Sequence, residues 1–304
     1  MFLKRLQGQA SVPDVPESAT IRVVGDRASG KTTYMAALAR WPNASANSPV
    51  ESVNPFNDDG ENLIDKAKNL LEQGLDLAPT ALGQVAQELP DYGIRIVLKG
   101  QFSWRNPKVK VGSQLISLVI NCKDYSGEFF KDLLHRSSSN DPQLQDYMED
   151  CLNANGILIL IDGNANRRDQ DYANSLDKFL IALDRVSLEV GKRRVALVLT
   201  KCEQPELWVN RHKPNEMAHM RFPQICKKLD SWKNIGGGQV EYFAASALGM
   251  LGTTFPSPNA TKTSSGSGGV AAVLKDPKRW RPFGLVAPIY WLCTGERHRK
   301  LEED

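Results

Sequence analysis

Apolar positions along this chain fall into continuous runs and into helical repeats, and the change from one to the other marks its elements. ATIRVVG at 19–25 reads as a strand, and KTTYMAALAR at 31–40 behind it reads as a helix. GILILID at 156–162 and RRVALVLTK at 193–201 are unbroken apolar runs, the pattern of strands covered on both faces. QVEYFAASA at 239–247 predicts the last strand. Between them, Leu176, Phe179, Leu180, Leu183 and Val186 recur at helical spacing. Helices are also predicted at 60–75, from Glu128, from Pro142 behind the cap-like Asp141, at 223–232 with the residues before it, and in the apolar 283–295. YGIRIVLKGQFSW and VGSQLISLVINCKD flank RNPKVK, predicting two antiparallel strands with a turn at Asn106-Pro107.

Strands alternating with helices imply an α/β fold of three layers. The expectation is a mostly parallel six-stranded sheet with one antiparallel edge strand and helices on both faces. The organisation expected is a flexible lead at 1–18, one domain at 19–295 and a polar tail at 296–304. Within the domain, 41–91 reads as an insert that is irregular apart from one helix. The Gly/Ser/Thr-rich 252–276 reads as mobile.

Composition narrows the function classes. A net charge of +3 over 304 residues is too small to argue for nucleic acid or an anionic membrane. The basic groups at 192–194 and 297–300 read as solvated surface. The five cysteines form no CxxC pair, which fits buried free thiols in a reducing compartment. The first 18 residues lack the apolar core of a secretory signal, and no apolar run approaches the roughly 20 residues of a membrane helix. A cytoplasmic protein without an integral membrane segment is expected.

The chemistry concentrates at strand ends. Gly25-Asp26-Arg27-Ala28-Ser29-Gly30-Lys31-Thr32 matches G-x-x-x-x-G-K-[ST], between a predicted strand and a predicted helix. Such a loop turns its backbone N–H groups inward around phosphates at a helix N-terminus. Lys31 would reach the β- and γ-phosphates, and Thr32 would bind Mg²⁺. LISLVINCKD ends in Asp124, which begins Asp124-Tyr125-Ser126-Gly127, a D-x-x-G. That aspartate would hold the Mg²⁺ shell, and Gly127 would let a backbone N–H approach the γ-phosphate.

Thr200-Lys201-Cys202-Glu203 and Ala245-Ser246-Ala247 end two later strands. They resemble the [NT]-K-x-D and S-A motifs with which GTPases read the base. With them, four motifs stand in GTPase order over about 20–247, at the strand ends where open α/β sheets bind ligands. The chain therefore resembles the small-GTPase-like, translation-factor-related P-loop GTPases. Its D-Y-S-G-E form, the insert before it and the closing PFGLVAPIYWL look like the prokaryotic double-GTPase families. The resemblance implies GTP and GDP as ligands with Mg²⁺. It also implies a phosphate cradle of 25–33, Thr33 included, and a base pocket of Thr200, Lys201, Glu203, Ser246 and Ala247.

The pattern is broken in places. Glu203 stands where the family has aspartate, one methylene longer; it serves the base or merely starts a helix. Asp162 is a rival metal aspartate, but without a glycine at the right offset. Glu128 occupies the place of the water-orienting glutamine, either as part of a slow hydrolytic site or as a helix-start acid. Arg27 is a built-in or dimer-shared arginine finger, or a solvated side chain. Thr80 is, by elimination, the switch threonine that would complete the Mg²⁺ shell. The expected function is a slow GTPase switch acting through an effector or regulator protein, with another GTPase domain as one such partner and a nucleotide-dependent dimer as one such assembly. A P-loop ATPase or kinase, or a non-hydrolysing nucleotide-binding scaffold, are the alternatives.

Overall fold

The computed structural model describes residues 19–41, 48–73, 89–99, 116–124, 142–184, 193–264 and 270–303, with backbone alone at 116, 124, 143, 144, 263, 264, 270 and 271. In chain order the elements are β1 (Ala19–Gly25), α1 (Lys31–Ala39), β2 (Val50–Pro55), α2 (Asp58–Gln73), β3 (Asp91–Leu98), β4 (Ile116–Asp124), α3 (Pro142–Leu152), β5 (Gly156–Asp162) and α4 (Asp169–Asp184). There follow β6 (Arg194–Thr200), α5 (Pro205–Trp208), α6 (Pro214–Arg221), α7 (Pro223–Asn234) and β7 (Gln239–Ala244). The chain then runs through β8 (Met250–Leu251), β9 (Ser257–Pro258), β10 (Ala260–Ser264) and β11 (Val270–Leu274) to α8 (Val286–Thr294) and α9 (Arg299–Glu303).

The sheet order is β2-β3-β4-β1-β5-β6-β7. β4, β1, β5, β6 and β7 are parallel, and β3 runs against both β2 and β4. The α/β sheet is as expected, with seven strands where six were predicted. The addition is β2, which covers β3, so the antiparallel strand of the predicted pair is not the edge. VESVNP hides β2 from a periodicity reading. Only Val50 in it is buried, a register shift falls between Val50 and Ser52, and it closes on a proline. The turn expected at Asn106-Pro107 and the helix expected from Glu128 lie outside the described residues.

The unbroken runs split by parity, since successive strand side chains point to opposite faces. Ile157, Ile159 and Ile161 join one core with Leu176 and Phe179 of α4 and Leu229 of α7. Leu158 and Leu160 join the other, with Tyr34 of α1, Leu63 of α2 and Ile289 of α8. Each large side chain buried this way contributes about 1.5–3 kcal/mol, so β5 is held from both layers. All five cysteines are buried, and none of them is in a disulfide. Among the described residues no helix is long and apolar enough to cross a membrane.

The stretch expected to be mobile at 252–276 carries β9, paired with β8 just before it, and the β10–β11 pair. The glycine and serine bias is concentrated in 265–269, while the flanking residues pair. Asn259, fully buried, fastens the hairpin base. Its side-chain amide donates to the Asp276 carbonyl at 3.1 Å, and its oxygen accepts the Asp276 N–H at 2.8 Å. In the polar tail, α9 buries Leu301, and Arg297 pairs with Glu241 and Glu302.

Candidate functional site

The loop between β1 and α1 turns through left-handed backbone at Ala28 (φ 62°) and Gly30 (φ 88°). Gly30 is the N-cap of α1 and has no side chain to satisfy the first-turn N–H groups, which helix geometry leaves without intrahelical acceptors. At Gly25 the loop passes so close to β5 that a Cβ would lie 2.3 Å from the Leu160 carbonyl oxygen. Lys31 is buried, and its Nζ donates to the carbonyls of Gly25 at 2.9 Å and Asp26 at 3.1 Å. The Ser29 hydroxyl is buried with no hydrogen-bond partner among the described residues. Thr32 and Thr33 are half-buried and line the cleft beside the loop. Arg27 is exposed.

β6 and β7 bring the later motifs to the same end of the sheet. The Thr200 hydroxyl donates to the Ser29 carbonyl at 2.6 Å, tying β6 to the loop. Lys201 takes left-handed backbone (φ 58°), and its Nζ donates to Asp162 Oδ2 at 2.6 Å. Asp162 Oδ1 accepts the Asn164 N–H at 2.9 Å, so both oxygens of this rival metal aspartate are engaged at the base-motif side.

Glu203 is 4% exposed and accepts the hydroxyl proton of Ser246 at 2.7 Å. Burial raises the Glu203 carboxyl above its ordinary value, against the lowering effect of the Ser246 bond. Ser246 in turn accepts the Gly249 N–H at 2.8 Å. Gly249 has φ 71°, and a Cβ there would meet the Arg281 carbonyl oxygen at 1.9 Å. Residues 280–285 back this turn. Ser246 and Phe283 exchange backbone hydrogen bonds, Trp280 Nε1 donates to the Ala247 carbonyl at 2.8 Å, and the Tyr34 hydroxyl of α1 donates to the Leu285 carbonyl. None of these ties has a local sequence signal.

Asp26, 7% exposed, is held from beyond β5. Arg168 pairs with its carboxylate, and the Tyr172 hydroxyl donates to the same oxygen at 3.1 Å. Sequence reading assigned no role to Arg168 or Tyr172, because nothing near residue 26 points to residue 168.

The result is a cleft of about 680 Å³, within the ordinary range of small-molecule sites. Lys31, Thr32, Thr200, Lys201, Glu203 and Ala247 line it together with Leu70 of α2 and Ala260, Lys262 and Ala272 of the β10–β11 hairpin. Asp124 ends β4 with its backbone paired to Val23 of β1, next to the loop. Thr80, Gly127 and Glu128 lie outside the described residues. Among the described residues no group of three or more His, Cys, Asp or Glu is arranged to hold a metal. A magnesium site of the type expected does not need one: it takes threonine hydroxyls, one carboxylate, substrate phosphates and water.

No family model matches the chain, and no curated protein does. Among solved structures it is similar to the Arl6 BBS3 small GTPase from Trypanosoma brucei with bound nucleotide analogue GppNp, at TM-score 0.36 and 12% identity over 76% of this chain and 87% of that one. It is similar to the signal recognition particle receptor SRb-GTP/SRX complex from Chaetomium thermophilum, at TM-score 0.35 and 16% identity over 77% and 93%. A third similar structure is the bacterial selenocysteine-specific elongation factor EF-Sec, at TM-score 0.32 and 13% identity over 76% of this chain. The chain spans 26% of that elongation factor's length.

Proposed function

We propose that this chain is a guanine-nucleotide-binding protein that hydrolyses GTP slowly and acts as a switch on a protein partner. The observation that carries the reading is the buried Glu203–Ser246 hydrogen bond, with Glu203 lining the same cleft as Lys31. A buried carboxylate pinned by a serine is suited to accept from the N1–H and N2–H₂ of guanine. Adenine lacks that donor pair and would leave the carboxylate desolvated and unsatisfied, a penalty that gives strong discrimination. The extra methylene of Glu203 is accommodated, since the side chain still reaches Ser246.

The phosphate end fits a nucleotide on three counts: the orphaned Ser29 hydroxyl, the cradle that a Cβ at Gly25 would fill, and the uncapped first turn of α1. Thr32 and Asp124 are the residues that would hold Mg²⁺. Asp162 is disfavoured for that role by its bonds to Lys201 and Asn164. When bound, the ion would neutralise charge on the β- and γ-phosphates. Lys31 would exchange its two carbonyl contacts for phosphate oxygens. Glutamate at 128 accepts from a water but donates no N–H to developing charge, which is the reason for a slow rate. The exposure of Arg27 favours a solvated or dimer-shared side chain over one built into this site.

Hydrolysis would release the segments around Thr80 and beyond Asp124, and the partner would read that change. Resemblance to the double-GTPase families makes another GTPase domain the first partner to try. The buried thiols, none of them in a disulfide, accord with a cytoplasmic location.

Calorimetric titration with GTP, GDP and ATP in Mg²⁺, alongside Lys31→Ala, tests the reading. GTP and GDP should bind at least about tenfold more tightly than ATP, and the variant should be silent. Equal or preferred ATP binding would move the protein to the ATPase or kinase alternative. Tight GTP binding without turnover, alone or with partners, would leave a scaffold.

A further inference from the structure

Asp26 follows Gly25 in the loop that the proposed function assigns to phosphate, and it is 7% exposed. A buried carboxylate there opposes the loop's purpose, because like charges repel strongly where water is excluded. Lys31 Nζ donates to the Gly25 and Asp26 carbonyls. Arg27 is turned out to solvent. The countercharge comes from a different part of the fold. Arg168, in the 3₁₀ turn after β5, pairs with Asp26 Oδ2, and Tyr172, at the start of α4, donates its hydroxyl to that same atom at 3.1 Å. The guanidinium also lies 4.9 Å from the centroid of the Tyr172 ring, so ring and carboxylate hold it together.

We infer that Arg168 is a positioning residue for phosphate binding: it neutralises Asp26 and holds the loop in its anion-accepting shape, with Tyr172 as the brace. Affinity for a phosphate chain then depends on a side chain 142 positions away in sequence. This rests on the phosphate half of the proposed function and is independent of which base is bound.

The test measures dissociation constants for GTP, GDP and inorganic tripolyphosphate in five proteins: wild type, Arg168→Ala, Arg168→Gln, Asp26→Asn and Asp26→Asn/Arg168→Ala. Melting is followed for each. Arg168→Ala should weaken GTP and tripolyphosphate by about tenfold and GDP by less, the usual size of coupling in a contacting charge pair. Arg168→Gln, which removes the charge and keeps a donor, should move the same way on a milder background. Asp26→Asn placed on Arg168→Ala should return affinity to within about threefold of wild type, because the charge that needed neutralising is gone. Wild-type affinity in both Arg168 variants overturns the inference, as does a double variant no tighter than Arg168→Ala. Equal binding of GTP and ATP by the wild type in the calorimetric titration above would end the guanine reading and leave this inference standing. Failure of the wild type to bind any of the three ligands would end both.

Discussion

The Ser246 hydroxyl donates to the buried carboxylate of Glu203 across 2.7 Å, joining residues 43 apart in sequence. The bond closes the ends of β6 and β7 on each other, and the Gly249 N–H donating to Ser246 closes the turn behind it. One hydroxyl thus orients both the carboxylate and the loop beside it.

Glu203→Ala should lower GTP and GDP affinity by about 10- to 100-fold, the size expected for lost hydrogen bonds to a charged group. ATP affinity should change little. Ser246→Ala should move in the same direction by less, because the carboxylate remains but loses its orienting donor. Competition titrations with both nucleotides measure each.

Glu203 also carries a pH signature. Its carboxyl is raised in the folded chain, first by burial. The native state therefore holds this proton more tightly than the unfolded chain does. Its contribution to stability is greatest below the ordinary value of 4.5 and is lost as pH rises through the folded value. Glu203→Gln should flatten that part of the stability-against-pH curve and match or exceed wild-type stability at neutral pH. Urea unfolding at a series of pH values reads the difference; unchanged curvature in the variant would place the proton elsewhere.

Lys31→Ala should abolish detectable nucleotide binding while leaving far-ultraviolet circular dichroism unchanged, because the Lys31 ammonium bonds the Gly25 and Asp26 carbonyls of the loop itself. A variant that still binds GTP within about threefold of wild type would remove Lys31 from the phosphate site.

Gly25→Ala tests the closeness of the loop to β5. The added Cβ would stand 2.3 Å from the Leu160 carbonyl oxygen, backbone that cannot turn aside. A loss of about 1–3 kcal/mol, the usual cost of overpacking, is expected in denaturant unfolding, with weaker GTP binding because the loop must shift.

Asn259→Ala removes both side-chain bonds to the Asp276 backbone at the foot of the β10–β11 hairpin. The expected cost is about 1–3 kcal/mol, from part-buried backbone groups left unpaired. Amide exchange in β10 and β11 should quicken, while exchange in β5 and β6 should not. Uniform acceleration through the sheet would mean that the hairpin and sheet unfold together.

Much of the architecture is legible along the chain. The apolar runs of β5 and β6 and the helical repeat of α4 are local patterns, set by which side chains each element must bury. The 25–32 motif is legible for the same reason: its turn needs glycine within a few residues, and its helix follows at once. β2 is not legible, because an edge strand with one buried side chain has little pattern to show. The pairing of 260–264 with 270–274 is masked by the turn-rich residues between them. The long ties within the cleft depend on strand order alone. Asp26 meets Arg168 because β5 lies next to β1, Lys201 meets Asp162 because β6 lies next to β5, and Ser246 meets Glu203 because β7 lies next to β6. Sequence by itself determined the elements and the residues at their ends, since propensity and periodicity act over a few positions. Only the tertiary structure decided which of those ends touch, because hydrogen bonds between distant residues exist once the sheet has set its neighbours.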